Sequence, residues 1–218
     1  DQFWSVLLSA RLGYRHLTYA EWVVRWPQWN DGIAAMSQKV KDKIPNRYRS
    51  KCIVVGDLMA DLHEHAKEKE PLPSGNWIAL MPGSKSAKLC VGVPFLMEVA
   101  DRISTSLPEC KFLIPVAPTT SISEIYNYMN TNNPIAHQYS SRIKELRKPT
   151  EQKKYHQLIT AKGTTVNLIK DQPAHQIISQ CTLALTTVGA NTAELGALGV
   201  PMIVIVPTQH LNVMQAWD

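Results

Sequence analysis

The sequence predicts an α/β fold built on a doubly wound parallel sheet, and three observations carry that prediction. Apolar strand patterns alternate with helical ones along most of the 218 residues. Such alternation implies right-handed crossovers between parallel strands. Two turns of small residues, Gly83 to Lys85 in WIALMPGSKSAK and Gly189 to Glu194 in TLALTTVGANTAELGALGVPMIVIVP, each stand between a strand and the start of a helix. Ligands of doubly wound sheets bind beyond the carboxyl ends of the strands, where both turns fall.

Taken in order, Phe3 to Leu12 reads as a helix with Gly13 as its C-cap, and Arg15 to Tyr19 as a short strand. Pro27, set among Trp22, Trp26 and Trp29, breaks any helix there. Ile33 to Met36 is a strand, Gln38 to Ile44 a helix, and Cys52 to Val55 a strand that ends at Gly56. The polar stretch from His63 to Ser74 reads as a surface connection. After it come strand Trp77 to Met81, helix Leu89 to Ser106, strand Lys111 to Val116 and helix Ile122 to Met129. Pro134 to Gly163 is a polar, basic insertion whose form the pattern leaves open. The alternation resumes with strand Thr165 to Ile169, helix Pro173 to Ser179, strand Thr182 to Thr186, helix Asn191 to Leu198 and strand Met202 to Val206.

A composition of 44% hydrophobic and 19% charged residues is that of a globular protein, not a disordered one. The net charge of +5 and pI near 9.0 are mild, with basic residues gathered between Arg142 and Lys162. An anionic ligand or membrane surface suits this better than sequence-specific nucleic-acid binding, so no nucleic-acid partner is expected. Cys52, Cys90, Cys110 and Cys181 lie far apart and read as reduced cysteines of a cytosolic protein. No apolar run approaches the roughly 20 residues that span a bilayer, and no signal peptide is visible. Asp1 stands directly before a helical pattern and Asp218 partway through another, so the sequence reads as a piece of a longer protein.

The two turns carry the chemistry. Helix N-termini offer unpaired N–H groups and partial positive charge, and small residues let the backbone come close to a ligand. Two such turns in one sheet can converge on one diphosphate, so a nucleotide is the expected ligand.

Four segments, in this order and at plausible spacing, carry a family likeness: VVGDLMADL (Val54 to Leu62), ALMPGSKSAK (Ala79 to Lys88), TLALTTVGANTAELGALGVPMIVIV (Thr182 to Val206) and PxxxxNVMQAW at the end. Together they resemble the lipid-A-disaccharide synthases and their relatives among the two-domain, GT-B type glycosyltransferases. The likeness has departures. Lys85 stands where the family has Arg, which keeps a cation but not the bidentate fork. Asp57 replaces the hinge His, and Val188 to Thr192 replace an S-G-T turn.

The resemblance implies a Rossmann-like donor domain over residues 77–218, a hinge over 57–76, and over 1–56 the last βαβ part of a second Rossmann-like, acceptor-side domain. It implies transfer of a sugar from a UDP-sugar to a lipid or sugar-lipid acceptor with inversion, without metal or cofactor. Gly83, Ser84 and Lys85 would approach the diphosphate from one side, and Gly189, Ala190, Asn191 and Thr192 from the other. Glu194 would accept hydrogen bonds from the ribose. Leu168 to Gln172 would present backbone to the uracil edge, and Gln209, Asn212 and Gln215 would reach the donor sugar. The general base would lie in the acceptor-side domain ahead of Asp1. The expected setting is cytoplasmic, with peripheral contact at the inner leaflet of a bacterial membrane. A UDP-sugar 2-epimerase of the same architecture, or a non-catalytic nucleotide-binding relative, are the alternatives.

Several residues have plainer readings. Lys88 reads as a solvated surface charge, the tryptophans around Pro27 as packing at a domain edge, and His63, Glu64 and His65 as a solvated helix face. His175 and His210 are open between a site role and a core or surface role.

Overall fold

The computed structural model describes residues 3–61, 71–130, 132–170 and 174–210. The chain forms two compact units, Asp1–Asp61 and Leu62–Asp218.

In the first unit, helix α1 (Phe3–Leu12) ends at Gly13, whose φ of 73° is the left-handed C-cap conformation. Strands β1 (Leu17–Ala20), β2 (Gly32–Ala35) and β3 (Cys52–Val54) form a parallel sheet in that order. Helix α2 (Gln38–Asp42) lies between β2 and β3 in the chain. Ala20, Ile33, Ala35, Val40, Ile44 and Cys52 form the core. The first strand begins two residues later than its sequence pattern suggests. His16 is engaged outside the sheet: its N–H donates to Asp31 Oδ2 (2.8 Å) and its Nδ1 lies 2.7 Å from Asn30 Oδ1. The tryptophans divide. Trp26 packs its ring 5.1 Å from that of Phe3, whereas Trp22 is 74% exposed.

The second unit is a seven-stranded sheet. Its strands are β4 (Asn76–Met81), β5 (Cys110–Pro115), β6 (Ile143–Arg147), β7 (His156–Thr160), β8 (Thr165–Ile169), β9 (Leu183–Thr187) and β10 (Met202–Ile205). Helices α3 (Ser86–Ser106), α4 (Ile122–Asn127), α5 (His175–Ile178) and α6 (Ala190–Ala197) complete it. The spatial order is β10-β9-β4-β5-β8-β7-β6. The first five are parallel, as the alternation predicts.

The last two strands join through antiparallel pairings, β7 with β8 and β6 with β7, so that β7 alone runs against the others. They come from the basic insertion left open by its pattern. A crossover helix cannot fit between Thr160 and Thr165, so β7 and β8 form a hairpin. Gly163 (φ 92°) makes its turn and donates its N–H to Thr160 O (3.0 Å). A glycine bracketed by Thr-x-x and Thr was the available signal.

Side chains alternate across the sheet. Ile78, Leu80, Phe112, Ile114, Val166 and Leu168 face one way, against Leu89, Val93, Leu96, Met97 and Ala100 on a single stripe of α3. Trp77, Ala79, Leu113 and Ile169 face the other way, with Ile177, Ile178, Leu195 and Leu198 of α5 and α6. Each aliphatic or Met side chain buried this way contributes about 1.5–3 kcal/mol before conformational entropy is counted.

Helix α3 starts at Ser86, one turn earlier than its apolar stripe, and contains Pro94. Proline cannot donate to the carbonyl four residues back, which orphans Cys90 O. Asn133 fills the gap: its Nδ2 donates to Cys90 O and to Tyr128 O, both at 2.8 Å, while its Oδ1 accepts from Ile135 N–H (3.1 Å) and the Cys90 thiol (3.2 Å).

Two buried carboxylates on the far half of α3 anchor the insertion. Thr160 Oγ1 donates to Asp101 Oδ1 at 2.6 Å. Glu98 accepts from the N–H groups of Ser140 (3.1 Å) and Ser141 (2.8 Å), from Ser140 Oγ (2.7 Å) and from Arg102 Nε (3.0 Å). Burial alone pushes the Glu98 carboxyl up, but hydrogen bonds from Ser140, Arg102 and Ser141, with Lys162 nearby, hold it at about 2. All four cysteines are free thiols, and burial pushes that of Cys181 up to about 12.

Two outcomes follow from these anchors. Asn133→Ala leaves two carbonyls without their donor and is expected to lower unfolding free energy by about 2–4 kcal/mol in urea titration. Glu98 has a folded pKa below its ordinary value near 4.5, so its stabilisation is present above that pH and is lost as pH falls toward about 2. In wild type the melting temperature should therefore decline across that window, and Glu98→Gln should flatten the decline.

Candidate functional site

Strands β4 and β9 are neighbours, paired from Ile78 with Leu183 to Met81 with Thr186. Their carboxyl ends therefore lie side by side, and so do the turns that leave them. The first turn runs from Pro82 into α3, the second from Val188 into α6.

The first turn is tight. Gly83 has φ 103°, and a Cβ there would come within 2.9 Å of Lys88 Cβ and Cδ. A Cβ on Gly92 of α3 would lie 2.7 Å from Pro82 O, so the helix rests directly on the turn's backbone. Glycine is required at both places for close approach. Across the gap, Thr187 Oγ1 reaches Pro82 O at 3.4 Å.

Lys88, read from sequence as a solvated charge, has a structural role. Its Nζ donates to Val188 O at 2.7 Å, tying the first turn's helix to the second turn across 100 residues of chain. Burial lowers the pKa of this ammonium, and the charge of Lys85 lowers it further. A Cβ on Gly189 would lie 2.8 Å from that Nζ, so the residue at this position must be small for the tie to form. Thr192 closes the second turn by donating N–H (3.0 Å) and Oγ1 (2.7 Å) to Gly189 O.

Between the turns lies a cleft of about 180 Å³, lined in part by Gly83, Ser84, Asn191 and Glu194. Its volume is smaller than that of pockets enclosing drug-sized ligands. Burial raises the pKa of Glu194, and no hydrogen-bond partner holds its carboxylate among the described residues. A carboxylate so placed can accept hydrogen bonds from a polyol.

The structure thus brings Gly83, Ser84, Asn191 and Glu194 to one cleft. Lys85 is the exposed N-cap residue of α3, and Gly189 that of α6, which Ala190, Asn191 and Thr192 open. Gln209 does not line the cleft; its Nε2 donates to Tyr139 Oη at 3.4 Å. Asn212, Gln215, Asp171, Gln172 and the His63–His65 tract lie outside the described residues. His210 is buried beside Tyr139, with Nε2 at 3.2 Å from the hydroxyl. Sequence reasoning missed Pro115 to Pro118, which form another wall of the cleft at the carboxyl end of β5. The strand-end rule applied to β4 and β9 would have found them.

Among the described residues, no three His, Cys, Asp or Glu side chains gather to hold a metal ion. Nor is any described helix long and apolar enough to cross a membrane.

No family model matches the chain. It is similar in sequence to the lipid-A-disaccharide synthase of Anaeromyxobacter dehalogenans, 26% identical over 135 residues, which make up 62% of this chain and 27% of that protein. With the lipid-A-disaccharide synthase of Geobacter sulfurreducens it is 23% identical over 140 residues, 64% of this chain and 28% of that protein. The matched stretch is thus little more than a quarter of either relative. In fold the chain is similar to UDP-GlcNAc 2-epimerase from Neisseria meningitidis bound to UDP-GlcNAc, with TM-score 0.52 and 13% identity over 98% of this chain and 59% of that one. It is also similar to S. aureus MnaA in a structure with UDP, with TM-score 0.55 and 12% identity over 97% and 62%. The fold is accordingly Rossmann-like, of the GT-B kind.

The crowding at Gly83 is testable against Gly163, which shares positive φ but has nothing near its absent Cβ. Gly163→Ala is expected to lower stability by about 1–2 kcal/mol from backbone strain, and Gly83→Ala by about 2–4 kcal/mol from strain plus contact with Lys88, read by chemical denaturation.

Proposed function

We propose that the chain is the nucleotide-sugar-binding part of a glycosyltransferase of the lipid-A-disaccharide synthase type. The observation that carries this reading is the pair of small-residue turns on adjacent strands, tied by Lys88 to Val188 O, with Glu194 in the cleft between them. The sequence relatives named as lipid-A-disaccharide synthases support it. On this reading residues 77–218 bind the donor, 57–76 are the hinge and 1–56 end the acceptor-side domain.

The reaction is displacement at the anomeric carbon of a UDP-sugar. A hydroxyl of a lipid-linked acceptor attacks that carbon, the bond to the diphosphate oxygen breaks, and configuration inverts. The acceptor's proton passes to a base in the acceptor-side domain. Negative charge grows on the departing UDP, and that charge is what the donor domain stabilises. N–H groups at Gly83 and Ser84 and at the start of α6 (Ala190, Asn191), together with the Lys85 ammonium, face the diphosphate, while Thr192, whose N–H and hydroxyl both go to Gly189 O, holds the second turn in shape beside it. The carboxylate of Glu194 accepts the ribose hydroxyls. Asn212 and Gln215 are assigned to the donor sugar. The protein works in the cytoplasm, in peripheral contact with the membrane that carries its acceptor.

A second reading is favoured by one finding: two solved structures of UDP-GlcNAc 2-epimerase, from Methanocaldococcus jannaschii and Neisseria meningitidis, match nearly the whole chain. An epimerase would bind the same UDP-sugar and invert C2 of its sugar without a lipid acceptor, leaving the epimer on UDP, or freeing it when water breaks the bond to UDP.

Calorimetric titration with UDP, ADP and NAD in parallel tests the donor site. UDP is expected to bind preferentially, and Glu194→Ala to weaken it by about 10- to 100-fold, the worth of hydrogen bonds to a charged group. Equal affinity for all three nucleotides, or none, would overturn the assignment. Incubation with UDP-GlcNAc alone separates the two chemistries, since the 2-epimer, free or still on UDP, appears only for the second.

A further inference from the structure

Lys88 is placed to do more than shape the cleft. Lys85 is the N-cap residue of α3 and Lys88 stands three residues on, so both cations belong to one end and one face of that helix. The stem of Lys88 lies over the first turn: a Cβ on Gly83 would meet its Cβ and Cδ at 2.9 Å. Its Nζ ends against the second turn, 2.7 Å from Val188 O and 2.8 Å from where a Cβ on Gly189 would stand. One side chain therefore touches both glycine turns. It also carries its charge to the place where α3 and α6 both begin.

Positive charge is costly at that place. Helix starts carry partial positive charge of their own, and the charge of Lys85 opposes that of Lys88. An anion relieves both repulsions, and the form of the anion matters. Lys85 is a point charge without the fork of a guanidinium, so it does not address two linked phosphates at once. A monophosphate resting on one turn gains from one helix start. A diphosphate reaching from turn to turn gains from both, provided that the turns stay at a fixed separation. The bond from Lys88 to Val188 O fixes it; without that bond, Thr187 Oγ1 still reaches Pro82 O, but only at 3.4 Å.

We propose that Lys88 is a positioning residue that makes the site select a nucleoside diphosphate over a monophosphate, by holding the second turn where both turns engage one diphosphate. The inference rests on the nucleotide reading of the cleft and assigns this selectivity to a lysine other than the one in the Gly-Ser-Lys turn.

The readout is the ratio of UDP to UMP affinity, measured by calorimetry with uridine as the phosphate-free reference. Lys88→Met keeps most of the stem and removes the donor and the charge. It is expected to weaken UDP about tenfold, the worth of one charge-assisted hydrogen bond, and to leave UMP and uridine within about twofold. Gly189→Ala keeps the charge but puts a methyl group against Nζ. It should lower the same ratio, and its effect on that ratio should vanish in the Lys88→Met background. Equal losses of UDP and UMP in Lys88→Met would mark a lysine that only holds the fold, and would overturn the proposal while the nucleotide reading stands. An unchanged UDP affinity in Lys88→Met would do the same. A ratio that falls in Lys88→Met but not in Gly189→Ala would show that the lysine acts by charge and not by its tie, and the positioning role would fall. Failure of UDP to bind the wild type would overturn both the proposal and the reading beneath it.

Discussion

The pairing of β4 with β9 is the constraint on which the candidate site rests. Adjacent parallel strands sit about 4.8 Å apart, so the turns leaving their carboxyl ends have no choice but to be neighbours. That spacing leaves little room. It explains why Gly83, Gly92 and Gly189 lack side chains at the points of contact, and why one lysine can reach from one turn to the other. A doubly wound sheet makes this arrangement from segments far apart in the chain because the strand order reverses at β4: β9 and β10 lie to one side, β5 and β8 to the other.

Helix α3 is the second organising element. Its apolar stripe covers one face of the sheet, while its polar residues hold the parts that the sheet does not. Asn133 answers the carbonyl freed by Pro94, and Glu98 and Asp101 hold the 140–160 segment by charge-assisted or buried hydrogen bonds. These groups are costly to bury and of value only when paired, so they specify one docking of the insertion rather than adding bulk stability. The same economy runs through the Gln157–Asn167 pair, where Gln157 Nε2 donates to Asn167 Oδ1 and Asn167 Nδ2 to Phe112 O.

Much of the fold could be read from pattern. Helix Phe3–Leu12 and strand Thr165–Ile169 stand where periodicity put them, because local propensity and burial agree there. Other boundaries moved by a few residues, as at α3, where Ser86 begins the helix before any apolar residue marks it. The insertion was the least legible part. Its strand β6, IKELR, buries none of its residues fully, so it carries no strong alternation; it is ordered by pairing with β7 and by Glu98 from outside. Within the site, glycines beside strand ends marked the two turns, but Lys88 looked like any surface lysine, because its partner is a carbonyl 100 residues away.

By itself the sequence determined the class of fold, the position of the two turns and the candidates clustered on them, since strand period, helix period and glycine act over a few residues. Tertiary structure alone decided which strands are neighbours, that the insertion turns antiparallel, and that Gly83, Ser84, Asn191 and Glu194 share one cleft while Gln209 lines none of it. Each of these depends on atoms brought together across long stretches of chain. Hydrogen bonding and burial at such distances are properties of the packed sheet, and local pattern does not encode them.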